Sequence, residues 1–235
     1  MNSATKKQLI EWADTYESES FITGDPIQFP HRFKRPQDIE IAGFLTAWIS
    51  FGNRKMICNK ANELLALMNN APFDYVMSRK WQSDFPSEDG SSFYRTCPKK
   101  QMHRLFEHLY QVYNNSNSLE MILQNYTGSP RERLCQWLGV STQSPQKKLN
   151  MFLRWMIRRN SPVDFGLWQQ MHPKDLVIPL DTHVNRMAVE LELTDKNTYS
   201  LKQALKITEA LKEVFPDDPC KGDFALFGYG VEHKQ

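Results

Sequence analysis

The absences in this sequence narrow it before any motif does. No apolar run approaches the ~20 residues that a bilayer-spanning helix needs. The opening Met1-Asn2-Ser3-Ala4-Thr5-Lys6-Lys7-Gln8 also has no apolar core of a signal peptide. The four cysteines, Cys58, Cys97, Cys135 and Cys220, are scattered without paired spacing. Such spacing excludes a disulfide framework and a clustered iron–sulfur loop, and points to reduced thiols in a cytoplasmic protein. Gly-rich phosphate loops of either common kind are missing. His103 and His108 share one stretch but have no partner at metal-ligand spacing, so neither a metal nor an organic cofactor is expected. Charge of one sign is scarce too: 29 basic residues oppose 27 acidic ones, for a net charge of +2. Global charge therefore neither demands nor forbids a nucleic-acid partner, and local clustering must decide.

Sustained period-two alternation and internal repeats are also absent. What remains is helical periodicity. With 235 residues, 40% of them hydrophobic, the chain can bury one large core or two lobes sharing one. Helices are expected over 6–16, 38–50, 55–68, 99–113, 118–126 and 131–138. The 38–50 segment is apolar nearly all round and belongs at the centre of the core. Gly52 fits its end, and Asn53, Arg54 and Lys55 are then presented at its mouth. The proline-punctuated, aromatic stretch 24–33 reads as a substrate-facing loop or, more plainly, a packed surface loop, and 83–92 as another loop. The expected fold is all-α, about ten helices with short connections. Two lobes would share the chain discontinuously, N-terminal helices lying near the C-terminal one, with no internal boundary assigned.

Chemistry concentrates in two segments. In Pro179-Leu180-Asp181-Thr182-His183-Val184-Asn185-Arg186, Pro179 closes the preceding stretch. Asp181 stands at a helix N-cap, with Val184, Met187, Ala188 and Leu191 at helical spacing behind it. An ordinary cap worth about 1 kcal/mol explains Asp181 on local chemistry alone. In the second segment, Ser144-Pro145-Gln146-Lys147-Lys148 opens a helix with Ser144 as cap and Pro145 in its first turn. Leu149, Phe152, Leu153 and Met156 form its buried stripe. Two lysines in a first turn oppose the helix dipole. A solvated pair is the plain explanation, but charge placed against a local rule also marks functional sites.

Pro-Leu-Asp-Thr-His-Val-Asn-Arg resembles the Val-Asp-Thr-His-Val-x-Arg segment of the helix-hairpin-helix DNA glycosylases, the endonuclease III and MutY superfamily. The resemblance implies that Asp181 is catalytic. It also implies a nucleophilic lysine early in the helix after the hairpin, here Lys147 or Lys148. Asp181 follows them by 34 and 33 residues, an interval similar to that of archaeal 8-oxoguanine glycosylases. The Leu-Pro-Gly-Val-Gly hairpin of the superfamily is replaced by Ser-Pro-Gln. Near the C-terminus, Asp223 and Phe227 are four apart on one helical face and resemble the archaeal pair that helps hold the flipped base. Phe227 would stack on one side of that base and Met151 or Phe152 on the other, although Phe224 and Phe227 read equally well as core.

Across its length the chain also resembles a bacterial family of uncharacterised proteins. That family carries versions of Asp-Pro-x-Gln-Phe-Pro-His, Phe-Gly-Asn-Arg-Lys, Phe-Tyr-Arg-Thr, Lys-Arg-Leu-Asn-x-Phe-Leu-Arg-Trp-Met and Pro-Leu-Asp-Thr-His-Val. A basic residue following the key lysine favours Lys147, whereas Phe152 four residues on favours Lys148; the balance leans to Lys147. The function expected from these resemblances is a DNA base-excision glycosylase, with or without lyase activity, removing an oxidised purine such as 8-oxoguanine. Arg154, Arg158, Arg159 and Arg186 would neutralise phosphates of the damaged DNA. The rivals are a catalytically inactive nucleic-acid-binding module on the same fold and an RNA-directed protein.

Overall fold

The computed structural model describes residues 1–233. In chain order its helices and strands are α1 (Ser3–Tyr16), α2 (Glu19–Ile22), α3 (Pro36–Ile49), α4 (Arg54–Leu67), α5 (Pro72–Ser78), α6 (Trp81–Asp84), β1 (Ser92–Tyr94), β2 (Cys97–Pro98), α7 (Lys99–Asn115), α8 (Leu119–Leu123), α9 (Pro130–Leu138), α10 (Lys147–Ile157), α11 (Thr182–Glu190), α12 (Leu201–Lys212) and α13 (Lys221–Glu232). The fold is all-α apart from the antiparallel β1–β2 hairpin. The additional helices beyond the expected ten are short: α2, α5 and α6 span four, seven and four residues. Segments that brief carry too few turns for a periodic signal. Among the described residues no helix is long and apolar enough to cross a membrane.

The chain forms two compact units. One is continuous, Gly24–Tyr126, and contains α3 to α8 and the hairpin. The other joins Met1–Thr23 to the chain from Thr127 onward, and contains α1, α2 and α9 to α13. In the continuous unit α3 is the central element. Every residue from Ile39 to Ile49 is buried, as its all-round apolar sequence requires. Glu40 is the charged exception; it accepts hydrogen bonds from the Tyr113 hydroxyl and, at 2.8 Å, from the Leu119 backbone N–H. A buried carboxylate paired in this way costs far less than an orphaned one.

In the discontinuous unit α13 packs along both α1 and α11. Local signals set the boundaries. Asn2 caps α1 by accepting from the Thr5 N–H at 2.8 Å. Ser129 and Glu132 form a capping box at the start of α9, and Gly139 ends that helix in the left-handed region at φ 64°. On α1, Leu9 and Ala13 are buried, whereas Ile10, expected beside Leu9, is 43% exposed. The α1–α13 contact is held by a Trp12–Tyr229 ring stack at 3.7 Å and an ion pair from Lys221 to Asp14 at 2.8 Å.

The close approach depends on Gly228. A Cβ there would lie 2.3 Å from Tyr16 Cγ and 2.6 Å from Tyr16 Cβ, atoms too near the backbone to swing aside. Gly228→Ala should therefore lower stability by about 1–3 kcal/mol through overpacking, outweighing the ~1 kcal/mol helix-propensity gain of alanine. Gly90→Ala, with nothing within 4 Å of the added carbon, is the control. Denaturant melts of both variants check this.

Candidate active site

The candidate site lies within the discontinuous unit, where α10 and α11 begin. Asp181 is the N-cap of α11, with its backbone extended at φ −128° and ψ −173°. Its Oδ1 accepts from the backbone N–H groups of His183 at 2.9 Å and Val184 at 3.0 Å. That leaves Oδ2 for another partner, and Lys147 Nζ stands 3.5 Å from it. One carboxylate thus serves as helix cap and as lysine partner at once.

Helix α10 starts later than the sequence suggests. Gln146 occupies the left-handed region at φ 47° and ψ 48°, and is the N-cap. Ser144 is not the cap and Pro145 lies before the first turn, because helix cannot propagate through a left-handed residue. Lys147 becomes the first helical residue. The preceding turn is pinned from three sides. Arg131 donates to the Thr142 carbonyl at 2.6 Å and to the Ser144 carbonyl. Gln146 Nε2 donates to the Ser141 carbonyl at 3.0 Å. Asn150, 1% exposed, donates through Nδ2 to Pro145 O at 3.0 Å and to Ile178 O at 3.3 Å. Asn150 therefore ties the start of α10 to the extended segment that leads into Asp181. Sequence reasoning missed it, although a polar residue between Leu149 and Phe152 on a buried face was the available signal.

Asp223, in the first turn of α13, is 3% exposed. Its Oδ2 receives Arg154 Nη1 at 2.6 Å, while its buried Oδ1 has no hydrogen-bond partner among the described residues. Burial pushes the Asp223 carboxyl up to about 6; Arg154 pulls it back in part, and the negative charge of Asp181 adds to the rise. Lys147, Asp181 and Asp223 are thus electrostatically coupled carboxylates and a cation on three helix starts.

The remaining site candidates separate clearly. Met151, one turn beyond Lys147 on the same face of α10, is half-buried. Lys148, also half-buried, stands one turn before Phe152. Phe152 is 0% exposed, with its ring edge-on to Trp168 at 5.4 Å. A ring packed on that side cannot offer a face to a base, which corrects the stacking role expected of Phe152. Phe227 is half-buried, and its ring meets His183 and Phe21 edge-on at 6.0 Å each. His183 itself is fixed by a contact of Nδ1 with the Gly230 carbonyl at 3.0 Å.

The four arginines expected on phosphates are engaged inside the protein instead. Arg154 and Arg158 are 4% and 1% exposed. Arg154 bridges Asp223 and, at 3.3 Å, Asp164. Arg158 pairs with Asp164, with Asp218 at 2.8 Å and with Glu17 at 2.8 Å. Burial alone would lower the Arg158 pKa, but those carboxylates raise it well above its ordinary value. Both guanidinium groups also lie over the Phe224 ring, at 4.5 and 5.1 Å. Arg159 donates to the carbonyls of Trp168, Gln169 and Met171 at 3.2, 2.6 and 3.1 Å. Arg186 donates to Gly230 O at 2.8 Å and His233 O at 3.3 Å, where a cation suits the C-terminal end of α13. For Arg154 and Arg158 the reason is desolvation, since each meets buried carboxylates whose charge has to be offset.

No group of three His, Cys, Asp or Glu side chains disposed to hold a metal occurs among the described residues.

Residues 25–138 and 130–232 match the model of a family described as protein of unknown function (DUF2400). The chain belongs to that family. No curated protein and no solved structure matches it. The family's residues run through both units and include Lys147, Asp181 and Asp223.

Two measurements follow from the buried charges. Arg158→Gln removes the cation shared by Asp164, Asp218 and Glu17, leaving Asp164 with Arg154 alone, and should cost about 3–5 kcal/mol in a denaturant melt; a surface arginine reserved for phosphates would stay within about 0.5 kcal/mol. The Asp223 carboxyl stands at about 6 in the folded chain against an ordinary 3.8. It holds its proton more tightly folded than unfolded, so it favours the fold below both values and loses that contribution as pH rises through the folded one. Asp223→Asn should therefore gain stability relative to wild type between about pH 4 and 6, by at most ~1.4 kcal/mol per pH unit. A constant difference across that window would contradict the shift.

Proposed function

We propose that this protein is a DNA base-excision glycosylase with lyase activity, similar in its chemistry to the helix-hairpin-helix superfamily, and that its substrate is an oxidised purine such as 8-oxoguanine. One observation carries the reading: Lys147 Nζ lies 3.5 Å from Asp181 Oδ2, with the other oxygen of that carboxylate fixed on the N-terminus of α11. The resemblance of the Asp181 segment to the superfamily supports it. Lys147 is preferred to Lys148 because its neighbour one turn on, Met151, is half-buried, whereas Lys148 is followed by the fully buried Phe152.

A base inside a duplex has to be extruded before chemistry can reach its sugar. The ammonium of an ion pair is not a nucleophile, so Lys147 must first give up a proton. Its amine lone pair then bonds to C1′ while the bond from C1′ to the base breaks, and that electron pair leaves with the base. The base takes up the proton released by the attacking amine. Nitrogen next expels the ring oxygen O4′, which takes up the proton that the Lys147 ammonium released at the outset, and a C1′ iminium remains. Positive charge builds on the sugar during the first step, where the fixed Asp181 carboxylate stabilises it. Asp223 Oδ1, buried and without a hydrogen-bond partner, suits a donor on the edge of the extruded base. Phe227 and Met151 supply apolar surface for its faces.

An inactive nucleic-acid-binding module on the same fold is the second reading, and it rests on the partial exposure of the same pair. Lys147 and Asp181 also make an ordinary salt bridge, with side chains 35% and 14% exposed, of the kind worth little to stability.

Borohydride reduces an iminium to a stable amine, which separates the two readings. Wild-type protein should be trapped on an 8-oxoguanine duplex, Lys148→Gln should be trapped as well, and Lys147→Gln should not. Asp181→Asn should keep DNA binding and lose base release by a factor of order 10² to 10³, the ~3–4 kcal/mol that one preorganised electrostatic contact is worth in a transition state. Trapping by both lysine variants, or full excision by Asp181→Asn, would refute the mechanism.

A further inference from the structure

With Arg154, Arg158, Arg159 and Arg186 committed internally, cations for a polyanionic partner have to come from elsewhere, and the continuous unit presents a set. The turn after α3 and the first residues of α4 are exposed over six successive positions, 51 to 56. Phe51 is 38% exposed and Met56 49%, two of the large apolar side chains that the fold leaves uncovered. Arg54 and Lys55 lie between them, and segment 51–60 contains no acidic residue. The hairpin adds a third cation. Arg95, in the β1–β2 turn, is exposed and adopts the left-handed region at φ 51°. A non-glycine residue is held there at a cost, and such strain collects at functional positions.

Arg95 is aimed at the turn. Its guanidinium lies over the Phe51 ring, 4.9 Å from the centroid. It also fills the space beside Gly52, where φ is +103° and a Cβ would come within 2.9 Å of Arg95 Nη1. The adjacent Tyr94 hydroxyl donates to the Phe51 carbonyl at 3.2 Å. The hairpin that interrupts the helical fold thus braces an exposed aromatic ring and sets a cation upon it. Segment 92–100 is likewise free of acidic residues. Two nearby carboxylates are engaged by other cations, Asp89 with Lys99 at 3.0 Å and Glu63 with Lys60, while Asp25 stands 3.8 Å from Arg54, whose side chain is still 42% exposed.

We infer that Phe51 and Arg95, with Arg54, Lys55 and Met56, form a binding surface for single-stranded nucleic acid. The cations neutralise successive phosphates, and an unstacked base packs on the Phe51–Arg95 pair. Aromatic rings interleaved with cations are what binding of unpaired strands requires. An acidic protein would gain little from the exposed ring, and a membrane surface would demand a broader apolar face. The surface is independent of the chemistry proposed for Lys147 and Asp181, and binding alone tests it.

The test is fluorescence anisotropy of the full chain with labelled oligo(dT) and oligo(U) across a salt series, the two strands reporting whether deoxyribose or ribose is preferred. Wild type should bind, with affinity falling as salt rises. Arg54→Gln/Lys55→Gln/Arg95→Gln should flatten the log–log slope by about 2, near 0.7 per lost phosphate contact. Phe51→Ala should weaken binding roughly tenfold with the slope unchanged, as loss of one stacked base would. Circular dichroism checks that each variant is folded, and Lys202→Gln, which removes an exposed cation of α12, should bind like wild type. Equal binding by wild type, Phe51→Ala and the triple variant would overturn the inference. So would capture of wild type by phosphatidylserine vesicles with no affinity for either oligonucleotide.

Discussion

Everything distinctive about the candidate site depends on one carboxylate that serves two masters. Asp181 Oδ1 closes the N-terminus of α11, and Oδ2 faces Lys147. A capping aspartate is oriented by its own helix, since its oxygen must reach two backbone N–H groups. The free oxygen is then directed without further machinery. Asn150 contributes the second constraint by holding together the turn before Lys147 and the segment before Asp181. Preorganisation of this kind is what turns an ion pair into a candidate for catalysis.

Below that pair lies a dense set of buried charges. Arg154 and Arg158 meet Asp164, Asp218, Asp223 and Glu17 with little solvent access. Such clusters contribute little net stability but are costly to break. This one joins α10, α13 and the end of α1. It leaves Asp223 with one oxygen engaged and the other without a hydrogen-bond partner. The carboxyl that the site would use is therefore held by a cation the site cannot spare.

Much of this was legible in the sequence. The all-α class follows from helical periodicity without strand alternation, and the cap at Asp181 from its proline-then-helix context. The lysine pair was visible because it opposes the helix dipole. Arg154 and Arg158 are buried rather than set on a phosphate-facing surface, and the sequence hid this for a physical reason. A basic helical face looks the same whether its partners are phosphates or buried carboxylates, and the partners here are remote, Asp218 lying 60 residues from Arg158 and Asp223 lying 69 from Arg154. The late start of α10 was hidden as well, because the left-handed Gln146 carries no glycine or asparagine signal. Phe152 was placed on the wrong side of the question by a register argument that burial reverses.

The most direct measurement is where a covalent adduct resides. Wild-type protein should be reduced with borohydride on an oxidised-purine duplex, digested, and its peptides sequenced by mass spectrometry. A deoxyribose-derived mass on Lys147 is the result this account requires. An adduct confined to Lys148 or to the N-terminal amine, or no adduct on a protein that binds the duplex, would contradict it.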